Sequence, residues 1–395
     1  MNGEFWILAT IASLLVFGVG VELGLRRWLR RWGGYYVWSP GVRLHLYVDR
    51  EVLPELEPLA RIEVNADGER GGAVPRTSGH LYRILVAGGS PVECALLDQP
   101  TSWPGALERL LKAPESLRTL GASNVHVGNI GLSGVTSQAL NFIFERVLRR
   151  YRRLDAIVIM VGGNDVFFWL AKGAPDPIAP CPIPASEVFF CHPEGPFRWT
   201  RGGLAIVQVL QRLRCRLLRP VKIRHGSGKW VGRARAMRAR AREVRTAVPG
   251  PTPMLDFFEA QLRELLEKAK RRADRVLVVR QPWFEKQYTA AEQAKLWHGA
   301  LGDPHEEEVS VYYSIDVLCR LMAALDARAA QVAADVGVEQ LDLMPLLEPS
   351  LKTFYDFVHY TPAGAATVAE AVAAAILGRT VSEEAMHSTS VVLSR

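Results

Sequence analysis

Four short stretches of this chain carry side chains suited to acyl transfer. Ser90 follows an apolar run, Ile84 to Ala87, and the pair Gly88-Gly89. Gly134 lies within Asn129-Ile130-Gly131-Leu132-Ser133-Gly134-Val135-Thr136-Ser137, and Asn164 within Gly162-Gly163-Asn164-Asp165. Near the carboxyl end stands Asp356-Phe357-Val358-His359. Nucleophilic acyl transfer needs a hydroxyl or thiol, a base in reach, a group that orients the base, and donors for the oxyanion. Ser90 offers the hydroxyl and His359 the base. Asp356, three residues earlier, can hold the imidazole Nδ1–H and leave Nε2 to face Ser90. Gly134 can turn its N–H toward a site because glycine tolerates the backbone angles required, and the Asn164 amide can donate to an oxyanion. Singly these are weak signals, since a serine after two glycines also caps helices, and Gly-Gly-Asn-Asp is an ordinary turn. Their weight depends on the elements that carry them.

Those elements follow a regular alternation from Leu81 onward. Strands are expected at Tyr82–Gly88, Val125–Ile130, Ala156–Val161, Val276–Val279 and Val338–Leu343. Helices are expected at Trp103–Lys112, Ser137–Arg150, Met254–Ala273, Val311–Val336 and Pro362–Leu377. Strands alternating with helices imply right-handed βαβ units on a parallel sheet. The fold class is therefore α/β, a three-layer α/β/α domain on a five-stranded parallel sheet. Open sheets of this kind place ligands at the carboxyl ends of their strands. Ser90, Gly134 and Asn164 each follow a strand, and Asp356 to His359 precedes the last helix, so all five residues converge on one sheet edge. Asp165 is expected to be a structural turn residue.

Around this core the chain divides into an anchor with a basic flank (1–27), a lead-in of short strands and turns (28–80), the main domain (81–379) and a flexible tail (380–395). Phe5 to Leu25 is apolar except for Glu22, long enough to cross a bilayer as a helix. No small-residue cleavage site follows it, which favours an uncleaved anchor over a removed signal peptide. Arg26, Arg27, Arg30 and Arg31 come directly after the span, and the positive-inside rule then places the body in the cytoplasm. An insertion, 167–253, interrupts the main domain. Its first part is proline-rich and holds Cys181 and Cys191, a candidate disulfide outside the reducing cytosol. Its second part, 212–245, holds much of the excess of Lys+Arg (48) over Asp+Glu (41). That stretch reads as a solvated charged insertion, with contact to anionic lipid as the functional alternative. No aromatic residues interleave its arginines in the manner of a nucleic-acid surface, so no nucleic-acid partner is expected. His305 precedes Glu306, Glu307 and Glu308, but neighbours in a loop do not fix a coordination geometry, and no metal site is expected there.

In these motifs the chain resembles the SGNH hydrolases, also called GDSL-like esterases and lipases. Their first block reads Gly-Asp-Ser, here Gly88-Gly89-Ser90; the second block's glycine matches Gly134; Gly-x-Asn-Asp matches Gly162 to Asp165; and Asp-x-x-His matches Asp356 to His359. The resemblance covers Leu81 to Leu377 apart from the insertion. It implies Ser90 as nucleophile, His359 as base and Asp356 as its orienting partner. It further implies an oxyanion hole of the Ser90 N–H, the Gly134 N–H and the Asn164 amide, a flavodoxin-like strand order 2-1-3-4-5, and no cofactor or metal. Gly89 in place of aspartate is the one departure. The lead-in, with Glu22 to Arg26 and Asn65 to Gly71, is similar to that of membrane-anchored bacterial members, which implies an extracytoplasmic body and opposes the charge rule. The expectation is a membrane-anchored esterase acting on an acylated glycan, lipid or other small ester. O-acyl transfer by the same site and a non-catalytic binding module are the alternatives.

Overall fold

The computed structural model describes residues 2–379, apart from 179 and 181. The tail from 380 and any pairing of Cys181 with Cys191 lie outside the described residues. Helix α1, Asn2–Trp32, opens the chain and extends past the expected anchor boundary at 27. Strands β1 (Arg43–Val48) and β2 (Leu59–Glu63) pair antiparallel, and the main domain begins at β3 (Leu81–Gly88). There follow α2 (Ser90–Glu93), α3 (Trp103–Leu111), α4 (Pro114–Leu120), β4 (Asn124–Asn129), α5 (Ser137–Val147), β5 (Leu154–Met160) and α6 (Gly163–Ala171). The insertion contributes α7 (Ala185–Val188), α8 (Ala205–Leu218), β6 (Val221–Ser227), α9 (Lys229–Ala239) and β7 (Glu243–Arg245). The chain closes with α10 (Thr252–Lys270), β8 (Ala273–Arg280), α11 (Ala290–Gln293), β9 (Val311–Tyr313), α12 (Ile315–Val336), β10 (Glu339–Asp342) and α13 (Pro362–Ile376).

The central sheet runs β10-β8-β5-β3-β4, all parallel, with β3 and β5 in register from Ile84↔Ala156 to Gly88↔Met160. Counted along the domain this is the order 2-1-3-4-5. The sheet is covered by α3 and α13, which pack on each other, and by α5, α10 and α12, with α10 between the other two. β3 and β5 lie mid-sheet under both layers, which is why Ile84 to Ala87 and Ala156 to Met160 are continuous buried apolar runs rather than alternating ones. Truncating a residue such as Ile157, fully buried, to alanine would cost about 2–5 kcal/mol.

Two expectations change. The helix expected over Val311–Val336 begins only at Ile315; Val311–Tyr313 pairs with β7 as a strand, and Ser314 caps the helix by accepting from the Val317 N–H. The insertion is not a loose charged excursion. Its β6 joins β1 to complete a three-stranded sheet with the lead-in, and Arg235 and Arg238 of α9 turn inward to backbone carbonyls.

Glu22, the one charge within the apolar span, is buried against the protein. Its carboxylate accepts from the Ala205 and Ile206 N–H groups at 2.7 and 3.1 Å and pairs with Arg26. It caps the open N-terminus of α8, whose own preceding residue, Leu204, has no side chain able to do so.

The lead-in also fastens the sheet from below. Glu69 is buried beneath the starts of β3 and β4, with His126 Nε2 at 2.8 Å, Asn65 donating at 2.8 Å, and Arg83 and the Tyr151 hydroxyl on its other oxygen. Burial pushes its carboxyl up, but the His126 contact, the Arg83 charge and the Tyr151 hydroxyl outweigh this and hold it down at about 2.

Candidate active site

Ser90 is the first residue of α2, at the carboxyl end of the central strand β3. As the opening residue of a helix it has an N–H with no intrahelical partner, free for an incoming oxygen. The turn that presents it is held from underneath by Arg70. This fully buried side chain donates to the carbonyls of Glu93, Cys94 and Leu97 and to Gln99 Oε1, the last three at 2.8 Å. Cys94, in the left-handed conformation, ends α2 and is buried; burial pushes its thiol up to about 12, which leaves it unsuited to act as a nucleophile.

The Ser90 hydroxyl lies 2.8 Å from His359 Nε2. On the other side of the imidazole, Nδ1 lies 2.8 Å from Asp356 Oδ2. A carboxylate at Nδ1 requires the proton there, so Nε2 is the acceptor for Ser90 O–H. The turn that carries this pair is closed by the Tyr355 N–H donating to the His359 carbonyl at 3.0 Å and anchored by the Phe284 N–H donating to Phe357 O.

Asp356 is fully buried, and its remaining acceptor sites are filled. Oδ1 takes the Val358 and His359 N–H groups at 3.0 and 2.9 Å, and Oδ2 takes Trp297 Nε1–H at 2.9 Å. Burial alone pushes the carboxyl up. The charge of His359 and the hydrogen bonds from His359 and Val358 win, and hold it well below the usual carboxylate range. Asp356 is therefore an anion at any pH where His359 could act as a base.

The Asn164 amide and the loop after Gly134 flank the Ser90 turn, where a Cβ on Gly89 would lie 2.9 Å from Asn164 Nδ2 and 3.6 Å from Val135 O. Gly134 adopts φ +77°, and a Cβ there would meet only Phe168 at 3.7 Å, so the residue is open to solvent and its left-handed backbone favours glycine. Asn164, in the first turn of α6, donates one amide hydrogen to Val135 O at 2.9 Å, which leaves the second available. A Cβ on Gly89 would lie 2.9 Å from Asn164 Nδ2, so the amide sits directly beside the Ser90 turn. Any side chain at 89 would crowd that amide in this arrangement, which gives the Gly-Gly-Ser departure a local reason.

Two buried carboxyls tie the loops together. Glu93, one turn after Ser90, accepts from the Ser133 N–H and hydroxyl and so holds the loop before Gly134; burial raises its pKa. Asp165 accepts from the Ser137 N–H and hydroxyl, joining the Asn164 turn to the Gly134 loop, and burial raises it to about 6. Beside Ser90 lies a small cavity of about 10 Å³, bordered by Pro91, Cys94, Leu97, Tyr355 and Tyr360.

Among the described residues, His298, Asp356 and His359 are the one group of three or more whose metal-ligating atoms lie within 4.8 Å of one another. Asp356 already has four donors, which a cation would have to displace. His298 is buried, stacked on Trp297 at 3.9 Å, and burial pushes it down to about 3, so it is a neutral ring in this wall.

All five residues expected from the sequence thus lie at this edge. Arg70, Glu93 and Trp297 were not expected. A single arginine, a glutamate in a short turn and a tryptophan in an aperiodic loop carry no pattern that separates them from surface residues. Arg235, which donates to the Tyr355 carbonyl at 2.7 Å beside the Asp356–His359 turn, was hidden within the charged run.

No protein-family model matches the chain, and no curated protein does. Among solved structures, an acetyl xylan esterase from Geobacillus stearothermophilus aligns with TM-score 0.41 and 17% identity, over 76% of this chain and 97% of that one. An alpha/beta hydrolase from the metagenome of Lake Arreo, Spain, aligns with TM-score 0.41 and 13% identity, over 76% and 97% of the two chains. A member of the lipolytic protein G-D-S-L family from Veillonella parvula aligns with TM-score 0.38 and 12% identity, over 75% and 97%.

Proposed function

We propose that this protein is a serine hydrolase that cleaves carboxylic esters. The observation that carries the reading is the continuous chain Ser90 Oγ, His359 Nε2, His359 Nδ1, Asp356 Oδ2, with both gaps at 2.8 Å. In the first half-reaction Ser90 Oγ attacks the acyl carbonyl as its proton passes to His359 Nε2. The oxygen of the tetrahedral intermediate takes hydrogen bonds from the Ser90 and Gly134 N–H groups and the Asn164 amide. His359 then protonates the departing alcohol. Water, deprotonated by the same nitrogen, releases the acid and restores Ser90. Asp356 stays ionised throughout and stabilises the imidazolium.

The cavity beside Ser90 has room for about one water-sized group. This favours an acetyl or similarly short acyl group, on an alcohol that remains outside. Purified protein should hydrolyse p-nitrophenyl acetate faster than the hexanoate, and Ser90→Ala should abolish both activities. A folded Ser90→Ala protein that still turns over acetate would refute the assignment.

The same reading makes α1 a membrane anchor. Phe5–Trp32 is the one described helix long and apolar enough to cross a bilayer, with mean hydropathy 2.1. The body belongs on the extracytoplasmic side, against the charge rule, because the lead-in pattern is similar to that of exported members. Lipid contact through 212–245 is supported by Leu217 and Leu218 of α8, 76% and 71% exposed beside Arg214 and Arg216, and by Ile223 of β6, 57% exposed between Lys222 and Arg224. Protease protection of the body in sealed vesicles tests the side.

A further inference from the structure

Apart from the cavity at Ser90, α9 borders a larger cleft of about 480 Å³, within the range of small-molecule sites. Arg235, Arg238, Gln293, Ser314 and Asp316 line it, and none of its lining residues borders the Ser90 cavity. We propose that this cleft binds an oxyanion, a carboxylate or phosphate group on a small molecule, with Arg238 and Arg235 as its charged ligands.

Arg235 and Arg238 stand three residues apart on one face of α9 and are both partly buried. Arg235 donates to the carbonyls of Lys295, Val52 and Tyr355 at 3.0, 2.7 and 2.7 Å. Arg238 donates to the carbonyls of His298 and Tyr313, and its guanidinium lies 5.2 Å from the Tyr312 ring. Among the described residues neither guanidinium has a carboxylate within ion-pair distance. The acids nearest Arg235, Asp356 and Glu55, are already engaged by His359 and Lys295. Neutral carbonyls satisfy hydrogen bonds but do not cancel charge, and a desolvated cation without a counter-ion is costly. Burial accordingly pushes Arg238 down to about 10.

Each guanidinium also has capacity left. Arginine carries five N–H donors; Arg235 commits three and Arg238 two to those carbonyls. The remaining ones are directed by a planar fork suited to two oxygens of one anion. Ser314 and Gln293 add neutral hydrogen-bonding groups on the facing wall. Asp316, exposed in the first turn of α12, is the one acid in the lining and opposes an anion. It therefore serves as the control. Arginines that only clamp loops would leave the cleft indifferent to ligand, and Asp316 would then have no effect on binding.

The test is calorimetry on the full chain in detergent micelles at constant ionic strength, with inorganic phosphate in one series and galacturonate in the other. Saturable one-to-one binding of either supports the site, and which of the two binds tells phosphate from sugar-acid chemistry. Arg238→Gln should weaken binding by about tenfold or more. Asp316→Asn should tighten it by about two- to fivefold, a gain that misfolding cannot imitate. Ser90→Ala should bind as wild type does, which keeps the result independent of the esterase reading. No saturable binding of either anion up to about 10 mM would overturn the proposal. So would affinities that are the same in wild type, Arg238→Gln and Asp316→Asn.

Discussion

Replacing Asn164 by alanine tests its proposed role as an oxyanion donor. The change removes a side-chain amide with two hydrogens, one on Val135 O at 2.9 Å and one available beside Ser90. The first is a single hydrogen bond at a partly exposed site, worth about 1 kcal/mol. In a domain this large that is a fall in melting temperature of about 2–4 °C. The second acts only once the carbonyl oxygen carries charge, and loss of one such donor costs about two to three powers of ten in kcat, or about 2.7–4 kcal/mol. Because the ground-state ester makes little use of it, kcat should fall with KM nearly unchanged. Asn164→Asp keeps the size but offers only acceptors, and should lose at least as much. The assay is steady-state hydrolysis of p-nitrophenyl acetate beside a thermal melt. A folded Asn164→Ala enzyme with the wild-type kcat would refute the reasoning, whereas a large drop in melting temperature would show that Asn164 is structural.

Three further outcomes are expected. Trp297→Phe keeps the ring but removes the Nε1–H donated to Asp356. Loss of a hydrogen bond to a buried charge costs about 1.5–3 kcal/mol, so kcat/KM should fall by about ten- to a hundredfold, and an unchanged value would show that the bond does not position the pair. Glu69, held at about 2 against an ordinary 4.5, contributes stability that is complete above pH 4.5 and lost as the pH falls toward 2; the difference is about 3 kcal/mol. Glu69→Gln should lose that amount at pH 7 and flatten the acid limb of the denaturation curve, and an acid limb identical to wild type would contradict it. Glu22→Ala uncaps α8 at a cost of about 0.5–2 kcal/mol, so the amides of Ala205 and Ile206 should exchange faster by about two- to thirtyfold; equal protection would mean that Glu22 does not hold the helix.

The candidate site was legible because each of its parts sits where a strand or a pre-helical turn ends. Ile84 to Ala87 could only be a buried strand, so Ser90 had to lie at its carboxyl end, and the same reasoning placed Gly134 and Asn164. Asp356 and His359 were legible from their types and from the helix that begins at Pro362. What escaped was support that depends on tertiary partners alone. Arg70 acts by reaching carbonyls 23 to 27 residues away, and nothing in Glu69-Arg70-Gly71 indicates that. The arginines of 233–245 looked alike by composition. Only helical phase and the neighbouring loops decide that Arg235 and Arg238 point inward while Arg233, Arg240 and Arg242 do not follow them. Glu22 looked like a residue at the end of a span because its partner helix lies some 180 residues later, in a segment with no strand–helix rhythm to locate it.

The central claim is that Ser90 is a nucleophile activated by His359. It is tested most directly by incubating the full chain with a fluorophosphonate and measuring the intact mass and the modified peptide. One adduct per chain, on Ser90, absent in Ser90→Ala and strongly slowed in His359→Ala, is the expected result. Folded wild-type protein that takes no label, or that labels equally well without Ser90, would contradict the account.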